Sequence, residues 1–515
     1  MTPRTGDRLR VVVKVLTQLG RDTVGEAPRT GGSRADRERD PEEHGQEDRE
    51  RRRARAVRTA LESLGPFYVK IGQILSTRPD MVSPIMIDEL RNLHDEVREQ
   101  PFHELEPVLE QNLGADWKRY FDDIDTVRPL GTASVAQVYR VTLPGGSPGV
   151  IKVQRPGIRD TVLSDMALLR RAAALVPRAA PRFGAVVDVE SMLGNVFDAM
   201  EPELDFTKEA ANMDRAREAL RGFDRLTVPR VLAATPGVLV QSMAPGVSVA
   251  RANSLDLPDH DRRAVSRQLI AFMYRGYFIE RFYHADPHAG NVFVAPDGQA
   301  TLIDWGMVGR IDQRSSMRLL LVLMAVSQND GHGLARAWVE MGRTTPWSDV
   351  PGFSQDMAVL VPKIAGASLR DMNFGVMLTS VLEKATRRGI ASCPAVSLLG
   401  KSFANLEGSV RCLAPELTLV DIFEREIPRI MLHIARETAS PLQSARRALE
   451  GTLAHMGAAE QMRAIVDDMA NRDLTVQHGE VRRTRARGGG RPGSTPYGLL
   501  ALGALAVYLD HRRRR

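Results

Sequence analysis

Four polar side chains in two neighbouring stretches have the types and spacing that metal and phosphate chemistry requires. The first stretch, YHADPHAGNVFV, contains His284, Asp286 and Asn291, and the second, LIDWG, contains Asp304. Carboxylate and amide oxygens are ligands that Mg²⁺ accepts, and a divalent cation neutralises the charge of phosphate groups. The alternative is two ordinary turns built from turn-forming residues. The order and spacing favour a site that holds metal and phosphate.

These side chains divide between metal binding and the positioning of a nucleophile. Phosphoryl transfer requires a divalent metal, charge neutralisation over the phosphates and a group that orients the attacking oxygen. Asp304, at the end of a predicted strand, is expected to bind a metal that bridges the phosphates. Asn291 is expected to be the neutral second ligand, because Mg²⁺ keeps several waters and takes only one or two carboxylates. Asp286 is then the candidate catalytic base.

The two stretches match signatures of protein kinases. HADPHAGN corresponds position by position to H-R-D-x-x-x-x-N, and DWG corresponds to D-F-G. Asp304 follows Asp286 by 18 residues, which leaves room for the β-hairpin that connects the two signatures. His288 stands two residues after the candidate base, where many Ser/Thr kinases carry a phosphate-contacting lysine. Its ring either donates to phosphate or caps the turn.

A kinase-like N-lobe needs a strand lysine and a phosphate-covering loop, and both occur upstream. VIKVQ fits V-A-I-K and places Lys152 on a predicted strand, where it would hold the α- and β-phosphates. The loop, in PLGTASVAQVY, has one glycine instead of a G-x-G-x-x-G pattern. Side chains with a Cβ atom approach phosphate less freely than glycine does. The nucleotide-binding residues predicted in this loop are Gly131, Thr132, Ala133 and Ser134.

The strand lysine also needs a carboxylate partner on a helix. EPELDFTKEAAN offers Glu203, Asp205 and Glu209, and Glu209 is followed by AAN, as on a helix that faces the lobe. Lys152 and Glu209 are 57 residues apart, much farther than an ordinary kinase requires. The spacing therefore predicts an inserted segment between them.

Four motifs in order, KIGQ, the alanine-containing loop, ELDFTKEA and HADPHAGN, together resemble the UbiB family of atypical kinases (AarF/ADCK type) over about residues 57–470. By this resemblance, Lys70 and Gln73 belong to a KxGQ signature that folds across the pocket where a protein substrate would dock. Glu203 and Asp205 match its ExD signature, which is expected against KxGQ and near the metal.

The resemblance also implies residue roles and an activity. Lys152 is expected to pair with Glu209, while Asp286, Asn291 and Asp304 are expected to do the catalytic and metal-binding work. ATP and Mg²⁺ are the implied cofactors. The implied activity is that of an atypical kinase or ATPase that supports membrane lipid or isoprenoid-quinone biosynthesis, or lipid handling, instead of phosphorylating proteins.

Two departures bear on the substrates. The family loop usually reads A-A-A-S, whereas this chain has GTAS, which leaves the nucleotide preference open. After Asp304 the chain enters a predicted helix by Ser315, with no A-P-E motif and no room for a phosphorylated activation loop. Protein kinases bind peptides through that loop, so its absence weighs against peptide substrates.

The elements that must position these residues form an α+β, bilobal, protein-kinase-like fold. Hydrophobic periodicity predicts a small β-containing N-lobe, a mostly helical C-lobe and a helical N-terminal extension. The charged stretch near the N-terminus is expected to be a flexible loop or a solvated helix. The predicted organisation is a basic helix and charged segment (1–56), a helical KxGQ extension (57–128), an N-lobe with a helical insert (129–242), a helical C-lobe (243–471), a Gly/Arg linker (472–496), an apolar segment (497–509) and a basic tail (510–515).

Composition excludes several classes of protein. Of the 515 residues, 43% are hydrophobic and 26% charged, which is typical of a globular protein. The two cysteines form no CxxC pair, which argues against a disulfide framework or a zinc site. The net charge of +6 is modest and aromatic residues make up only 5%, without the interleaving of basic and aromatic residues that nucleic-acid stacking uses. We therefore expect no nucleic-acid partner.

The C-terminal sequence indicates contact with a membrane. YGLLALGALAVYL is an uninterrupted apolar run of 13 residues, followed by DHRRRR. As a helix it would extend about 20 Å, less than the roughly 30 Å hydrocarbon core, so a short span, an interfacial helix and a docked helix remain open. Basic tails favour an anionic membrane surface. We expect a protein on the cytoplasmic side of the cell membrane, peripheral or anchored by this segment, that handles a lipid or quinone-like molecule.

Three functions fit the motifs to different degrees. The first is the ATP-dependent enzyme described above. The second is a nucleotide-binding pseudokinase that scaffolds a membrane biosynthetic complex, although every metal and base position is filled. The third is a small-molecule phosphotransferase of the aminoglycoside or choline type, which shares H-x-D-x-x-x-x-N but does not need KxGQ, ExD or an apolar tail. The oligomeric state is open, with a dimer as one option.

Overall fold

The computed structural model describes most of the chain between residues 41 and 439. The described ranges are 41–76, 83–93, 99–133, 135–179, 193–194, 197, 200–254, 257–344, 348–365, 374–391 and 394–439. Several predictions lie outside them: the N-terminal basic helix, the loop residue Ser134, and the linker, apolar segment and basic tail after residue 471.

Helices and short strands alternate along the described chain. The helices are α1 (Pro41–Leu64), α2 (Pro66–Leu75), α3 (Pro84–Leu90), α4 (Phe102–Leu113), α5 (Ile158–Ala179), α6 (Phe206–Ala219), α7 (Asp259–Phe278), α8 (Gln313–Ser327), α9 (Gly331–Met341), α10 (Val350–Leu360), α11 (Pro362–Ala365), α12 (Phe374–Arg387), α13 (Pro394–Arg411) and α14 (Leu419–Thr438). The strands are β1 (Asp123–Ile124), β2 (Gly131–Thr132), β3 (Ala136–Leu143), β4 (Ser147–Gln154), β5 (Leu226–Thr227), β6 (Val231–Ala234), β7 (Val238–Ser242), β8 (Val247–Ser248), β9 (Phe282–His284), β10 (Val292–Val294), β11 (Ala300–Leu302), β12 (Val308–Arg310), β13 (Arg343–Thr344) and β14 (Ile390–Ala391).

An antiparallel sheet forms the first lobe and carries the predicted strand lysine. Its strands follow the order β1-β3-β4-β7-β6, and β2 also pairs with β3. The β3–β4 hairpin turns at Gly145 and Gly146, whose φ angles of 91° and 80° are left-handed and therefore favour glycine. The two strands then pair from Leu143 opposite Ser147 to Ala136 opposite Gln154. The strand predicted for VIKVQ is confirmed.

One hydrophobic core lies between this sheet and α4. Leu105 and Leu109 are four residues apart on α4 and fully buried, so one face of the helix packs on the sheet. The Phe102 and Tyr139 rings meet edge to face with centroids 5.0 Å apart. Strand β1 pairs with β3 as well. The lobe therefore begins before the predicted boundary at residue 129, because α4 and β1 belong to its core.

The segment between Lys152 and Glu209 packs against the N-terminal extension. A second core joins α1, α2 and α3 to α5 and to the residues just before α6. Within it the Phe67 ring of α2 stacks on Phe197 with centroids 6.2 Å apart. The insertion predicted from the long spacing thus provides the surface on which the KxGQ helix lies. The charged stretch before this core was expected to be a flexible loop or a solvated helix. Its described part, from residue 41 onwards, is helical.

The second lobe is mostly helical, as predicted, with small sheets near its start. The antiparallel β10–β11 hairpin belongs to a sheet ordered β5-β11-β10-β8, and β9 pairs with β12. Helix α7 is buried along most of its length behind these strands. Helices α8 to α13 follow, interrupted only by the two-residue pair β13–β14 within the described part. A second compact unit begins at Phe423, inside α14.

Candidate active site

Lys152 connects three elements of the fold. It lies on β4, and its Nζ donates to Glu209 Oε1 of α6 at 2.5 Å and to Asp304 Oδ1, just after β11, at 3.0 Å. The side chains of Lys152 and Glu209 are 13% and 3% exposed, whereas that of Asp304 is 53% exposed. The pairing expected from the family resemblance is therefore present, and the same ammonium also reaches the predicted metal ligand.

The charge of Lys152 stabilises both carboxylates of this cluster. Burial alone would lower the pKa of Lys152, but the carboxylates of Asp304 and Glu209 outweigh it and raise that pKa above its usual value. The Lys152 charge in turn holds the pKa of Asp304 well below its usual range. Burial raises the pKa of Glu209, against the attraction of Lys152. Asp304 is thus an ionised, solvent-accessible carboxylate beside a fixed cation.

The β10–β11 hairpin brings Asn291 next to Asp304. Val292 lies opposite Leu302, so the preceding and following residues meet, and the Ile303 amide donates to the Asn291 carbonyl at 2.9 Å. The Asn291 side-chain Nδ2 donates to the Asp286 carbonyl at 3.1 Å. The amide nitrogen is therefore engaged within the loop, and its oxygen is the atom that remains as a ligand.

Asp304 has a backbone conformation that few residues with side chains adopt. Its φ of 61° lies in the left-handed region, which costs energy for any residue other than glycine. The next residue, Trp305, is fully buried, and its Nε1 donates to the Leu302 carbonyl at 3.1 Å. Asn212 of α6 donates to the Trp305 carbonyl at 3.0 Å. These contacts hold the strained backbone in place, so the carboxylate direction is set by the fold.

His284 positions the candidate base through the backbone. Its Nδ1 accepts from the Asp286 amide at 3.1 Å, which assigns the ring proton to Nε2, and Nε2 lies 3.0 Å from the Ile303 carbonyl. The ring is fully buried, and burial lowers its pKa. His284 is therefore a neutral positioning residue that connects Asp286 to the backbone before Asp304.

Asp286 is held by a helix that lies more than a hundred residues later. Lys401 Nζ of α13 donates to Asp286 Oδ2 at 2.9 Å, and Asn405 Nδ2, one turn along, donates to Oδ1. Burial would raise the pKa of Asp286, but Lys401 outweighs it and the pKa lies below its usual value. Sequence analysis assigned neither residue. Their segment, KSFANLEGSVRCLAPEL (401–417), also resembles the family, and their i, i+4 spacing puts both side chains on one helix face.

The KxGQ and ExD signatures also meet. Lys70 of α2 pairs with Glu203 at 2.7 Å, with side chains 14% and 13% exposed. The Lys70 charge is among those that lower the pKa of Asp286, where Lys401 acts most strongly. Asp205 caps α6 instead, accepting from the Thr207 amide at 3.0 Å and from its hydroxyl at 2.6 Å. The predicted proximity of KxGQ to ExD and the site is present, while Asp205 is used locally.

Gln73 and the nucleotide loop complete the predicted set. Gln73 lies on α2 one turn after Lys70 and is half-buried. Gly131 and Thr132 form β2 at the edge of the sheet. Arg155 holds the loop through its Nε, which donates to the Ala133 carbonyl at 3.2 Å. The nucleotide-binding roles of these residues stay predictions.

His288 is occupied in its own turn. It is exposed, and its Nδ1 accepts from the Gly290 amide at 3.0 Å. The structure therefore shows the turn cap through Nδ1, and the contact of the ring with phosphate stays a prediction. The catalytic loop has His288 where many kinases have a lysine, and the Nδ1 atom of this histidine already accepts a hydrogen bond from the Gly290 amide.

The donor set fits magnesium better than a metal held by protein alone. Within the described ranges, no group of three or more His, Cys, Asp and Glu side chains is arranged to hold an ion. Mg²⁺ does not require one, since it binds through one or two carboxylates together with phosphates and water. The Asp304 carboxylate and the Asn291 amide would supply oxygen donors of this kind.

Comparisons with known proteins match the sequence of this chain to one family. The ABC1 atypical kinase-like domain matches residues 92–338. The chain is 30% identical over 79% of its length to the uncharacterized protein slr0889 of Synechocystis, covering 99% of that relative. It is 32% identical over 82% of its length to "Probable protein kinase UbiB" of Pseudomonas entomophila, covering 77% of that relative. A solved Rv3197–erythromycin complex from Mycobacterium tuberculosis aligns with a TM-score of 0.48 and 21% identity, over 70% of this chain and 94% of that one.

Proposed function

The chain belongs to the UbiB family of atypical kinase-like proteins, and we propose that it binds Mg²⁺–ATP and transfers the γ-phosphoryl group to water or to a small molecule of a membrane pathway. The observation that carries the proposal is the double contact of Lys152 with Glu209 and Asp304. A buried lysine aligned by a helix carboxylate, beside an ionised aspartate after a hairpin, is what phosphate and metal binding by a kinase-like fold needs.

Each side chain then has a distinct task. Lys152 would contact the α- and β-phosphates, with Glu209 holding its direction. Asp304 and Asn291 would hold Mg²⁺, which neutralises phosphate charge when bound. Asp286, kept ionised, would accept a hydrogen bond from the attacking hydroxyl or water and orient it. Lys70, paired with Glu203, would lie over the site from the extension.

We propose a non-peptide acceptor because of the segment that follows Asp304. Strand β12 leads directly to α8, whose first turn is capped by Asp312 accepting from the Ser315 amide at 2.9 Å. This short connection supplies none of the length with which protein kinases bind peptides. Family membership and the C-terminal sequence support a role in isoprenoid-quinone or membrane-lipid biosynthesis, at the cytoplasmic face of an anionic membrane and together with a biosynthetic complex.

The test is Mg²⁺-dependent ATP hydrolysis with and without anionic liposomes. We expect Asp304→Asn to lower kcat by about 100-fold or more, because the metal and the phosphates lose their charged ligand. Asp116→Asn is the matched control, since that aspartate is exposed and forms an ion pair with Arg119 at 3.0 Å, away from the proposed site residues. Equal turnover by wild type and Asp304→Asn would rule out the metal role.

The same assay separates the enzyme from a scaffold. A nucleotide-binding pseudokinase would bind ATP tightly yet show no turnover with any liposome composition. The filled base and metal positions favour turnover. Tight binding without hydrolysis by the wild type would therefore replace the proposed enzyme with the scaffold.

A further inference from the structure

The catalytic loop lacks a cation where ordinary Ser/Thr kinases have one. His288 occupies the position two residues after the candidate base, and its Nδ1 caps the turn at Gly290. A transferring phosphoryl group carries negative charge on three oxygens, so a site without a cation at that point would be poorly matched to it. The fold places a different cation beside the base.

That cation is Lys401. Its Nζ lies 2.9 Å from Asp286 Oδ2 and 3.9 Å from the sulfur of Met307. The side chain is 26% exposed and that of Asp286 is 24% exposed, so both can be reached from solvent. An ammonium has three N–H donors, and the carboxylate takes one of them. Asp286 Oδ1 is taken by Asn405, which leaves Lys401 on one side of the carboxylate.

Helix α13 is fixed along the whole loop. Ser402 Oγ donates to the His284 carbonyl at 2.7 Å, and Ser409 Oγ donates to the Pro287 carbonyl at 2.7 Å. These two serines flank Asn405, and both are fully buried. Two serines of α13 thus bind backbone carbonyls of the loop, while Lys401 and Asn405 of the same helix bind the Asp286 carboxylate. These contacts fix the position of α13, and with it the backbone position of Lys401, relative to the loop.

We propose that Lys401 is a catalytic residue that contacts the transferring phosphoryl group, in the role that a loop lysine has in ordinary kinases. The inference rests on the proposed phosphoryl transfer. In that step the bond from the γ-phosphorus to the β,γ-bridging oxygen breaks, and its electron pair leaves with ADP. A bond forms between the γ-phosphorus and the attacking water oxygen, whose proton passes to Asp286. Before the transfer Lys401 keeps Asp286 ionised, and during the transfer it stabilises the charge on the phosphoryl oxygens.

A purely structural lysine would affect the enzyme differently. If Lys401 only held Asp286, its removal would act through the position of the base and would leave the binding of phosphoryl mimics unchanged. If Lys401 contacts the phosphoryl group, its removal must weaken the binding of ADP with aluminium fluoride, which imitates the transferring group, more than the binding of ADP alone.

The experiment compares wild type with Lys401→Met, Lys401→Arg and Lys401→Gln in the full chain, with Mg²⁺ present. We expect Lys401→Met to lower kcat by about 100-fold or more, with KM for ATP changed by less than about threefold. Its preference for ADP–aluminium fluoride over ADP should fall by at least about tenfold. Lys401→Arg should recover most of that preference because it keeps the charge, whereas Lys401→Gln should not.

Lys384→Met is the matched control, a half-buried lysine on the neighbouring helix α12 that is expected to match wild type. Thermal melting identifies any variant that fails to fold. If Lys401→Met does not fold, the preference for the mimic is compared between Lys401→Arg and Lys401→Gln. Wild-type preference for the mimic in both Lys401→Met and Lys401→Gln would overturn the role of Lys401 alone. Absence of ATP binding and hydrolysis in the wild type would instead overturn the proposed function on which it rests.

Discussion

The charge of Lys152 is needed to compensate the buried carboxylate of Glu209. Glu209 is 3% exposed and has burial as the main influence on its pKa, so its charged form depends on a partner. Lys152 provides that partner at 2.5 Å. A buried carboxylate that loses its cation is left uncompensated, which is more harmful than the absence of both charges.

Replacement of Lys152 by Met should therefore destabilise the fold as well as remove ATP binding. We expect the free energy of unfolding, measured in urea, to fall by about 3–5 kcal/mol because Glu209 is left buried and unpaired. The double variant Lys152→Met/Glu209→Gln should recover part of this loss, and Lys384→Met should lose little. Strictly additive losses in the double variant would contradict a direct coupling between the two side chains.

Residue types and spacing predicted some residues of this site but not all of them. Lys152 could be predicted from VIKVQ, and its pairing with Glu209 from the family resemblance. The contact of Lys401 with Asp286 could not be predicted, because the two residues are 115 positions apart and no spacing rule links them. Asp205 shows a second limit, since a carboxylate that begins a helix is also an ordinary N-cap.

Among the helices, α2 depends on one glycine for its close packing. A Cβ atom on Gly72 would lie 2.3 Å from Leu93 Cδ1 and 2.8 Å from Leu61 Cδ1. Both leucines are buried in the core that joins the extension to the insert. The glycine of the KxGQ motif is thus explained by packing, and it allows Lys70 to reach Glu203.

Gly72→Ala should loosen this contact. We expect the free energy of unfolding to fall by about 1–3 kcal/mol through overpacking, and the affinity for ATP to change because Lys70 moves with α2. Gly408→Ala is the matched control, because a Cβ atom there meets nothing within 4 Å. Denaturant titrations and nucleotide-binding curves measure the two effects. A Gly72→Ala protein with wild-type stability would disagree with the packing.

Periodicity and turn residues predicted the individual elements better than their partners. The β10–β11 hairpin was expected from the kinase pattern and the 18-residue interval between Asp286 and Asp304, and the structure confirms it. The packing of α4 on the sheet was not predicted, because an amphipathic helix shows which face is apolar and not which surface covers it. The packing of α1 to α3 against the inserted segment was not predicted, for the same reason.

For the chain as a whole, the C-terminal sequence should decide membrane contact without affecting the site. Deletion of residues 497–515 should weaken binding to anionic liposomes by at least about tenfold, because an apolar run and a basic tail act together. Hydrolysis of ATP without lipid should stay at the wild-type rate. Cosedimentation measures the first and phosphate release the second.

A second variant separates the two contributions of that tail. Replacement of Arg512 to Arg515 by serine keeps the apolar run, so its remaining binding should lose its dependence on salt. Full binding after the deletion would contradict membrane contact through this segment. Within the described residues no helix is long and apolar enough to cross a bilayer.

The α+β fold class could be predicted for the whole molecule because ordered motifs and periodicity agreed. The compact unit that begins at Phe423 could not, because the helical pattern continues through that point without a break. Charged residues and Pro428 follow the boundary, but the helix continues through them.

The affinity for ATP with and without Mg²⁺, measured by calorimetry on wild type and Asp304→Asn, tests the central claim most directly. If Asp304 and Asn291 hold the metal that bridges the phosphates, Mg²⁺ should tighten ATP binding by at least about tenfold in the wild type and by less than about twofold in the variant. An equal Mg²⁺ effect in both proteins would contradict the account.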